Sequence, residues 1–373
     1  MDAQNARRTE ILLTYEGADI SRDLARYLVS FSYTDNASDK ADDLSLTLED
    51  KEGNWRGPWF PSKGALLSAA IITHDWEGAD DTQSLPCGAF EIDEIECSGP
   101  PTQVQIKAVS TLISKSMRQE QKTKGWENVK LSTVAGDMAK NNGLKLFWDS
   151  PNDPLFERRD QVEMSDLTFL QKLCSDSGIG IKVADGQLVC YDKEKYEAKA
   201  AVASLSFGDK NIKHYQFRSK TRGTYKGARV QYHNAVKDEN FEVYKSVDTE
   251  GVGEDLVINQ KVDSLADAEA LAEKKLQEAN KKETIGSIYL IGDMRFVGGC
   301  NVDVSGWGKF DGKYFIECAT HSVSKSGGYE TFIELHLGDP KESGKKNKKG
   351  AKKGKTEYGP LDSGFDVYSG GDS

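Results

Sequence analysis

The feature that most constrains the fold is a two-residue alternation of apolar and polar side chains, which occurs toward both ends of the chain. Leu44, Leu46 and Leu48 alternate with polar residues, and the stretch 104–108 repeats the pattern. This period places the apolar side chains on one face of a half-buried strand. Short strands at this spacing, separated by turn residues, predict a small β-barrel or sandwich over residues 1–110.

The apolar period becomes helical over residues 111–195. Apolar residues recur with helical spacing over 131–138, and a second helix is predicted to begin after Ser165 as its N-cap and to end at Gly178. The turn dipeptide Asp185-Gly186 then predicts a β-hairpin. These patterns indicate a small α+β module.

Strand patterns return over residues 196–340, interrupted by one helix. Ser264 is the predicted N-cap of this helix, and Asp267 stands at the third position as in a capping box. The final stretch, 329–337, alternates again. Strands, an α+β insert and strands again predict a mainly β fold with two β domains and a small module between them.

Residues 341–373 differ sharply from the rest in composition. The run 345–355 is rich in Lys and Gly and almost without apolar residues, so it buries too little surface to offset the entropy of ordering. It is interpreted as a solvated linker that carries an aromatic tip or, alternatively, as a docking segment for an acidic partner. The candidate docking residues are Lys345, Lys346, Lys348, Lys349, Tyr358 and Phe365.

An aromatic loop at 53–61 is the strongest candidate for a recognition surface in the remainder of the chain. It contains Trp55, Trp59 and Phe60 among Gly and Pro residues. One hypothesis is a contact with a neighbouring subunit, because tryptophans anchor many interfaces. The alternative is a loop that folds back over its own barrel.

Charge and hydropathy exclude several classes of partner. The formal net charge is −11, and residues 341–373 hold eight lysines against five acidic residues, so the body of the chain is more acidic than the whole. An acidic body repels phosphates and argues against nucleic-acid binding, while it is compatible with a surface along which DNA passes.

No apolar run approaches the roughly 20 residues that a bilayer-spanning helix needs, so we expect no membrane anchoring. The N-terminus lacks the apolar stretch of a secretory signal, and we expect a soluble protein made in a cytoplasm.

The motifs of catalytic and metal sites are absent from the sequence. It has no G-x-S-x-G or H-E-x-x-H motif, its six cysteines lie far apart, and its five histidines are scattered singly as expected strand-face or surface residues. The carboxylates Asp35, Asp39, Asp42 and Asp43 lack calcium-loop spacing and are interpreted as a solvated loop. We therefore predict no catalytic residue, no metal and no cofactor.

A series of short motifs occurs in a fixed order over residues 1–338. The motifs, in chain order, are Asp42-Asp43-Leu44-Ser45-Leu46-Thr47-Leu48 with Pro61-Ser62-Lys63-Gly64, the segments 131–143, 165–178 and 186–190, Tyr225-Lys226-Gly227-Ala228-Arg229-Val230-Gln231-Tyr232, the helix 266–279, Ile288-Tyr289-Leu290-Ile291-Gly292-Asp293, Gly298-Gly299-Cys300-Asn301-Val302, Trp307-Gly308-Lys309-Phe310-Asp311-Gly312-Lys313-Tyr314-Phe315-Ile316, His321 and Gly328-Tyr329-Glu330-Thr331-Phe332-Ile333-Glu334-Leu335. Their order and spacing resemble the late control D family of phage tail proteins. This is the baseplate hub family, which also includes the base of type VI secretion spikes.

The resemblance implies an architecture and a set of partners. Domains 1–110 and 196–340 are expected to be tail-tube-like β-barrels, with 111–195 as the α+β module and 341–373 outside the resemblance. A homotrimer is expected to join the tail tube protein to the central spike, which is expected as a separate chain. The tape-measure protein would lie in the channel, with DNA present only in passage. The expected location is the virion tail or baseplate, assembled in the bacterial host cytoplasm.

Two other functions remain open at this stage. One is a peptidoglycan-binding or hydrolysing tail protein, because the segment 131–143 loosely resembles a LysM helix. The other is a secretion-system hub that carries an effector on its C-terminal tail. Release of muropeptides from cell walls would support the first alternative, and neighbouring effector and immunity genes would support the second.

Overall fold

The computed structural model describes residues 6–38, 40–111, 115–184, 186–220, 224–234, 239–246, 254–260, 262, 264–281 and 283–338. Strands account for 53% of the chain and helices for 18%, so the predicted mainly β fold is confirmed. The first part forms seven strands and a short helix: β1 Arg8–Tyr15, β2 Ala18–Asp19, α1 Ser21–Ala25, β3 Leu28–Asn36, β4 Asp43–Glu49, β5 Leu66–His74, β6 Thr82–Ser98 and β7 Gln103–Ser110.

The middle part contains both helices and short sheets, as the change of period predicts. Its elements are α2 Lys115–Gln119, β8 Lys122–Lys130, α3 Leu131–Asn141, β9 Lys145–Asp149, β10 Leu155–Met164, α4 Asp166–Asp176, β11 Ile179–Ala184, β12 Gln187–Asp192 and α5 Lys193–Glu197. Ser165 caps α4 as predicted, because its Oγ accepts the backbone N–H of Thr168 at 3.2 Å. The predicted hairpin is β11–β12, an antiparallel pair that turns at Gly186.

The third part returns to strands and contains one long helix. Its elements are β13 Ala201–Ser206, β14 Ile212–Ser219, β15 Tyr225–Asn234, β16 Glu239–Ser246, β17 Glu254–Ile258, α6 Leu265–Lys281, β18 Thr284–Ile291, β19 Asn301–Ser305, a 3-10 turn Gly308–Phe310, β20 Gly312–Ser324 and β21 Gly328–Leu337. The predicted cap of α6 is confirmed, because the Oγ of Ser264 accepts the N–H of Asp267 at 3.1 Å.

The first and third parts share one 13-stranded sheet. Its order is β14-β18-β21-β20-β3-β4-β7-β6-β5-β1-β2, with β19 on β20 and β13 on β19. The junction is the antiparallel pair β3–β20, in which Ser30–Asn36 pair with Ser324–Cys318. Two separate clusters of buried residues lie on this sheet, one built mainly from β1–β7 and the other from β13 and β18–β21. The continuous sheet therefore carries two hydrophobic cores, while the division of the chain into two β domains stays a prediction.

The long helix α6 lies outside the second of these cores. It packs with a separate three-stranded sheet, β16-β15-β17, and forms its own core with it. That core contains Ala228, Val230, Ala268, Leu271 and Ala272. From the sequence, this helix is predicted to lie within the second barrel domain. Its apolar stripe shows that one face of the helix is buried, but a sequence pattern does not show which sheet covers that face. The domain boundaries at 110, 195 and 340 stay predictions.

The continuous sheet leads to a stability prediction. Leu46 lies in the first core and Ile333 in the second, and both are fully buried. Leu46→Ala and Ile333→Ala are each expected to lower the free energy of unfolding by about 2–5 kcal/mol. Because β3–β20 links the cores, both variants should shift the same calorimetric transition. The control is Leu12→Ala, since Leu12 is 42% exposed. Two independently shifted transitions would contradict a shared unit.

Candidate interaction surfaces

The aromatic loop at 53–61 is stacked on the first core and partly exposed. Trp55 is half-buried against that core, and its ring lies 5.9 Å from Tyr27 and 5.5 Å from Trp59. The buried carboxylate of Asp50 accepts the N–H of Trp55 and the Nε–H of Arg56, each at 3.0 Å. These bonds anchor the loop to its own sheet. For Trp55, they correspond to the hypothesis of a loop that folds back over its own barrel.

The tip of the same loop faces solvent. Trp59 is 42% exposed and Phe60 is 54% exposed. A single exposed apolar residue is ordinary, but two adjacent large rings on an anchored loop favour a contact with another molecule. The subunit-contact hypothesis therefore stays a prediction for Trp59 and Phe60. The other candidates, Lys345, Lys346, Lys348, Lys349, Tyr358 and Phe365, lie outside the described residues.

A second aromatic surface was missed in the sequence. The aromatic patch consists of Phe207, Tyr215, Phe217, Trp307 and Phe310. The ring of Trp307 lies 5.7 Å from Phe207, 5.3 Å from Tyr215 and 5.5 Å from Phe217. Phe207 is 59% exposed and Tyr215 is 40% exposed. The parallel pair β13–β19 brings Phe207 next to Trp307, and no local motif reveals a pairing between residues so far apart in the chain.

A buried ionic junction joins three parts of the chain. Lys182 of β11 forms an ion pair with Asp35 of β3, and its Nζ lies 3.8 Å from Asp42 Oδ2. Asp35 Oδ2 also accepts the N–H of Gly298 at 2.9 Å, and Asp42 Oδ1 accepts the N–H of Asn36 at 2.9 Å. The interpretation of these carboxylates as a solvated loop was wrong for Asp35 and Asp42. Both contact the buried Lys182, which lies far from them in the chain. Asp39 lies outside the described residues.

The protonation of this junction follows from burial and charge. Burial raises the pKa of Asp42 to about 7, with a further contribution from Asp35, while Lys182 opposes the rise. Burial alone would lower the pKa of Lys182, but Asp35 and Asp42 raise it above its ordinary value. The lysine is therefore held in its charged form between two carboxyl groups.

Gly298 is required for the close approach at this junction. A Cβ at that position would lie 2.7 Å from the backbone N of Ala37 and 2.8 Å from the carbonyl O of Asp35. Both atoms belong to the backbone, so neither can move aside cheaply. The glycine allows the segment before β19 to pack directly on the end of β3.

A second buried cluster surrounds His336 of β21. Its Nδ1 lies 2.7 Å from Glu317 Oε1, and its Nε2 lies 3.6 Å from Glu197 Oε1. Lys281 of α6 donates to the same oxygen of Glu197 at 2.6 Å. Burial alone would lower the pKa of His336, but the two glutamates raise it to about 9. This cluster connects the second core to α5 and α6.

His321 is also buried, but in a neutral setting. Its Nδ1 lies 2.8 Å from the hydroxyl of Tyr329, and its Nε2 lies 2.9 Å from the carbonyl O of Phe296. Burial lowers the pKa of His321 to about 4. The sequence expectation of strand-face histidines is correct for His321 and His336, although both are buried with polar partners rather than at the surface.

No group of three or more His, Cys, Asp or Glu side chains within the described residues is arranged to hold a metal. A cavity of about 20 Å³ lies beside His336, Tyr191 and Phe315, which is room for about one water molecule. Within the same residues, no helix has the length and apolar character needed to span a membrane.

Replacement of Lys182 tests the ionic junction. Lys182→Met leaves Asp35 and Asp42 buried without their cation, so we expect the free energy of unfolding to fall by about 3–5 kcal/mol. Lys172→Met is the matched control, because Lys172 is exposed on α4. Equal stability of the two variants in urea titrations would contradict the structural role assigned to Lys182.

The His336 cluster predicts a specific pH dependence. The pKa of His336 is about 9 in the folded chain against about 6.5 in an unfolded one. The contribution of protonated His336 to the free energy of unfolding is therefore complete below pH of about 6.5, and it is lost as the pH rises through about 9. The difference in unfolding free energy between wild type and His336→Gln should shrink over this window. A difference that is constant from pH 6 to pH 10 would contradict the charged cluster.

Comparison with known proteins places this fold among phage tail components. No family model matches the chain. It is similar to a probable baseplate hub protein of Escherichia phage 186, with 26% identity over 235 residues that make up 62% of this chain and 58% of the phage protein. The chain thus spans less than two thirds of that relative's length.

Solved structures share the fold at low sequence identity. A 43 kDa tail protein of prophage MuSo2 from Shewanella oneidensis matches with a TM-score of 0.67 and 16% identity over 88% of this chain and 98% of that protein. The E. coli c3393 protein, a component of the type VI secretion system, matches with a TM-score of 0.54 and 12% identity over 88% of this chain and 76% of that protein. The chain is thus similar to proteins named as phage baseplate hub and tail proteins, the group that its sequence motifs resemble.

Proposed function

We propose that this protein is the structural baseplate hub of a contractile phage tail or phage-tail-like particle. In this role three copies join the tail tube to the central spike. The observation that carries the proposal is the continuous sheet with two cores, because it gives each chain two rigidly connected β units. Three chains would then present six β units to the tail tube, and the same three chains would present a three-fold arrangement to the spike.

The distribution of polar groups supports an adaptor rather than an enzyme. The pKa values of Asp42, Lys182, His321 and His336 are shifted from their ordinary values, and these four groups lie in buried networks that join elements of the fold. Among these groups, His336 borders a cavity that has room for about one water molecule. Perturbed groups at a catalytic site would instead face a cleft. The exposed features are aromatic surfaces suited to contacts with other subunits.

The proposed partners follow from the same role. They are two further copies of the chain, the tail tube protein and the central spike protein, with the tape-measure protein in the channel and DNA only in passage. The proposed location is the virion tail, assembled in the host cytoplasm. The similarity to the phage 186 protein supports these assignments.

A secretion-system hub is the second candidate function. It is favoured by the fold shared with the E. coli type VI component over 88% of this chain. The phage hub and the secretion-system hub would form the same assembly. They differ in the particle that contains this assembly. Genes for tape-measure and tail-fibre proteins beside this one favour the phage tail, and effector and immunity genes favour the secretion system.

The proposal predicts a homotrimer in solution. Purified full-length protein should have three times the mass of one chain in analytical ultracentrifugation, and electron microscopy should show a ring with a central channel. A stable monomer that does not assemble even with tube or spike proteins would contradict the hub. Incubation with cell walls provides a separate check, because release of muropeptides would contradict the non-enzymatic role.

A further inference from the structure

One edge of the sheet is an exposed, basic strand. Among the described strands, β14 pairs only with β18, so its other side carries free backbone N–H and C=O groups. Most of its residues are exposed, which is unusual for a strand next to a core. An unprotected edge of this length is a template for pairing with another strand.

The charge of this edge is opposite to that of the chain. The segment 210–220 contains Lys210, Lys213, Arg218 and Lys220 and no acidic residue, whereas the whole chain has a net charge of −11. Lys213 forms an ion pair with Glu330. Within the described part of the chain, no carboxylate lies within ion-pair distance of the exposed Lys210 or Arg218, so both charges are available to a partner.

A second free edge, of opposite charge, lies on the first core. The pairing of β5 with β6 ends at Glu91, although Gly64 still donates its N–H to the carbonyl O of Ile92 at 2.8 Å. From Glu94 to Ser98, β6 is paired only with β7 among the described strands, and Asp93 lies at a register shift in that pairing. Glu94 pairs with Lys107 at 3.0 Å. The exposed carboxylates of Asp93 and Glu96 have no cation within ion-pair distance in the described residues.

Exposed aromatic rings accompany both edges. Phe207 and Tyr215 of the aromatic patch lie beside and on β14, and their rings are 6.1 Å apart. The aromatic loop with Trp59 and Phe60 leads into Gly64, whose hydrogen bond to Ile92 marks the start of the free part of β6. Each edge therefore combines open backbone, two exposed rings and unpaired charge.

We propose that the basic edge β14 of one protomer packs against the acidic edge 93–98 of β6 in a second copy of this chain. Six strands separate β14 from β6 in the sheet order, so the two edges belong to different parts of one protomer. The contact is heterologous, and three such contacts close a ring. This inference rests on the proposed trimeric hub and names the surfaces that hold its subunits together.

A second copy explains the edges better than a nucleic acid does. Basic and aromatic residues together also suit single-stranded nucleic acids. However, phosphates accept hydrogen bonds and would use the free N–H groups of β14 but not its C=O groups, and they would leave the acidic edge of β6 without a partner. The complementary surface is present on the same acidic chain, so a copy of the chain satisfies both edges at once.

Charge reversal of the full-length chain tests the contact. Lys210→Glu/Arg218→Glu and Asp93→Lys/Glu96→Lys should each raise the trimer dissociation constant by about tenfold or more, because like charges then face each other. The variant with all four substitutions restores opposite charges and should recover most of the affinity. Lys140→Glu/Lys172→Glu makes the same charge change as the first variant on exposed sites of α3 and α4 and should have no effect.

Sedimentation at low and moderate salt measures these constants, and thermal unfolding checks that each variant is folded. A wild-type monomer would overturn the trimeric hub and this contact together. A wild-type trimer that all variants retain would overturn only the contact. If Lys210→Glu/Arg218→Glu leaves the trimer intact and abolishes binding of a single-stranded oligonucleotide, β14 is a nucleic-acid surface and the contact is wrong.

Discussion

The pairing of β3 with β20 is the constraint on which the rest of the structure depends. It joins strands that lie almost 300 residues apart in the chain through seven residue pairs. Ile316 and Ala319 of β20 lie in the second core, whereas Val323 packs against the first. The register shift between Ile316 and Cys318 lies within this strand, before its pairing with β3 begins. This irregularity keeps Ile316 and Ala319 in the same core, and the change from the second core to the first occurs farther along the strand, between Ala319 and Val323.

The buried ionic groups determine how the middle module sits on this sheet. Lys182 comes from the module, Asp35 and Asp42 from the first β part, and Gly298 from the third. Tyr191 adds a hydrogen bond from its hydroxyl to the carbonyl O of Ala37 at 3.0 Å. Ion pairs of this kind add little net stability compared with apolar packing, but a misplaced partner leaves a buried charge. They therefore favour one orientation of the module over others.

The local features of the fold could be predicted from the sequence. Ser165 and Ser264 were identified as caps because a cap depends only on residues one turn away, and the β11–β12 hairpin followed from its turn dipeptide. The order of weak motifs also pointed to the baseplate hub proteins, and the curated relatives that the chain matches carry that name. Features that join distant segments could not be predicted. The partners Lys182 and Asp35 lie 147 residues apart, and their pairing depends on how the module docks.

The candidate surfaces show the same difference between local features, which the sequence predicts, and features that join distant segments, which it does not. Trp55, Trp59 and Phe60 were identified because they are neighbours in the sequence, while the aromatic patch is assembled only when β13 pairs with β19. The exposure of Trp59 and Phe207 also depends on which rings the fold covers. Local composition therefore identified one of the two aromatic surfaces, and the topology supplied the other.

The central claim is that this protein forms the junction between tail tube and spike. Cryo-electron microscopy of particles from the phage or phage-like element that encodes it tests this most directly. The account predicts three copies between the last tube ring and the spike, with both cores of each copy arranged around the central channel. A different location in the particle, or its absence from assembled particles, would contradict the account.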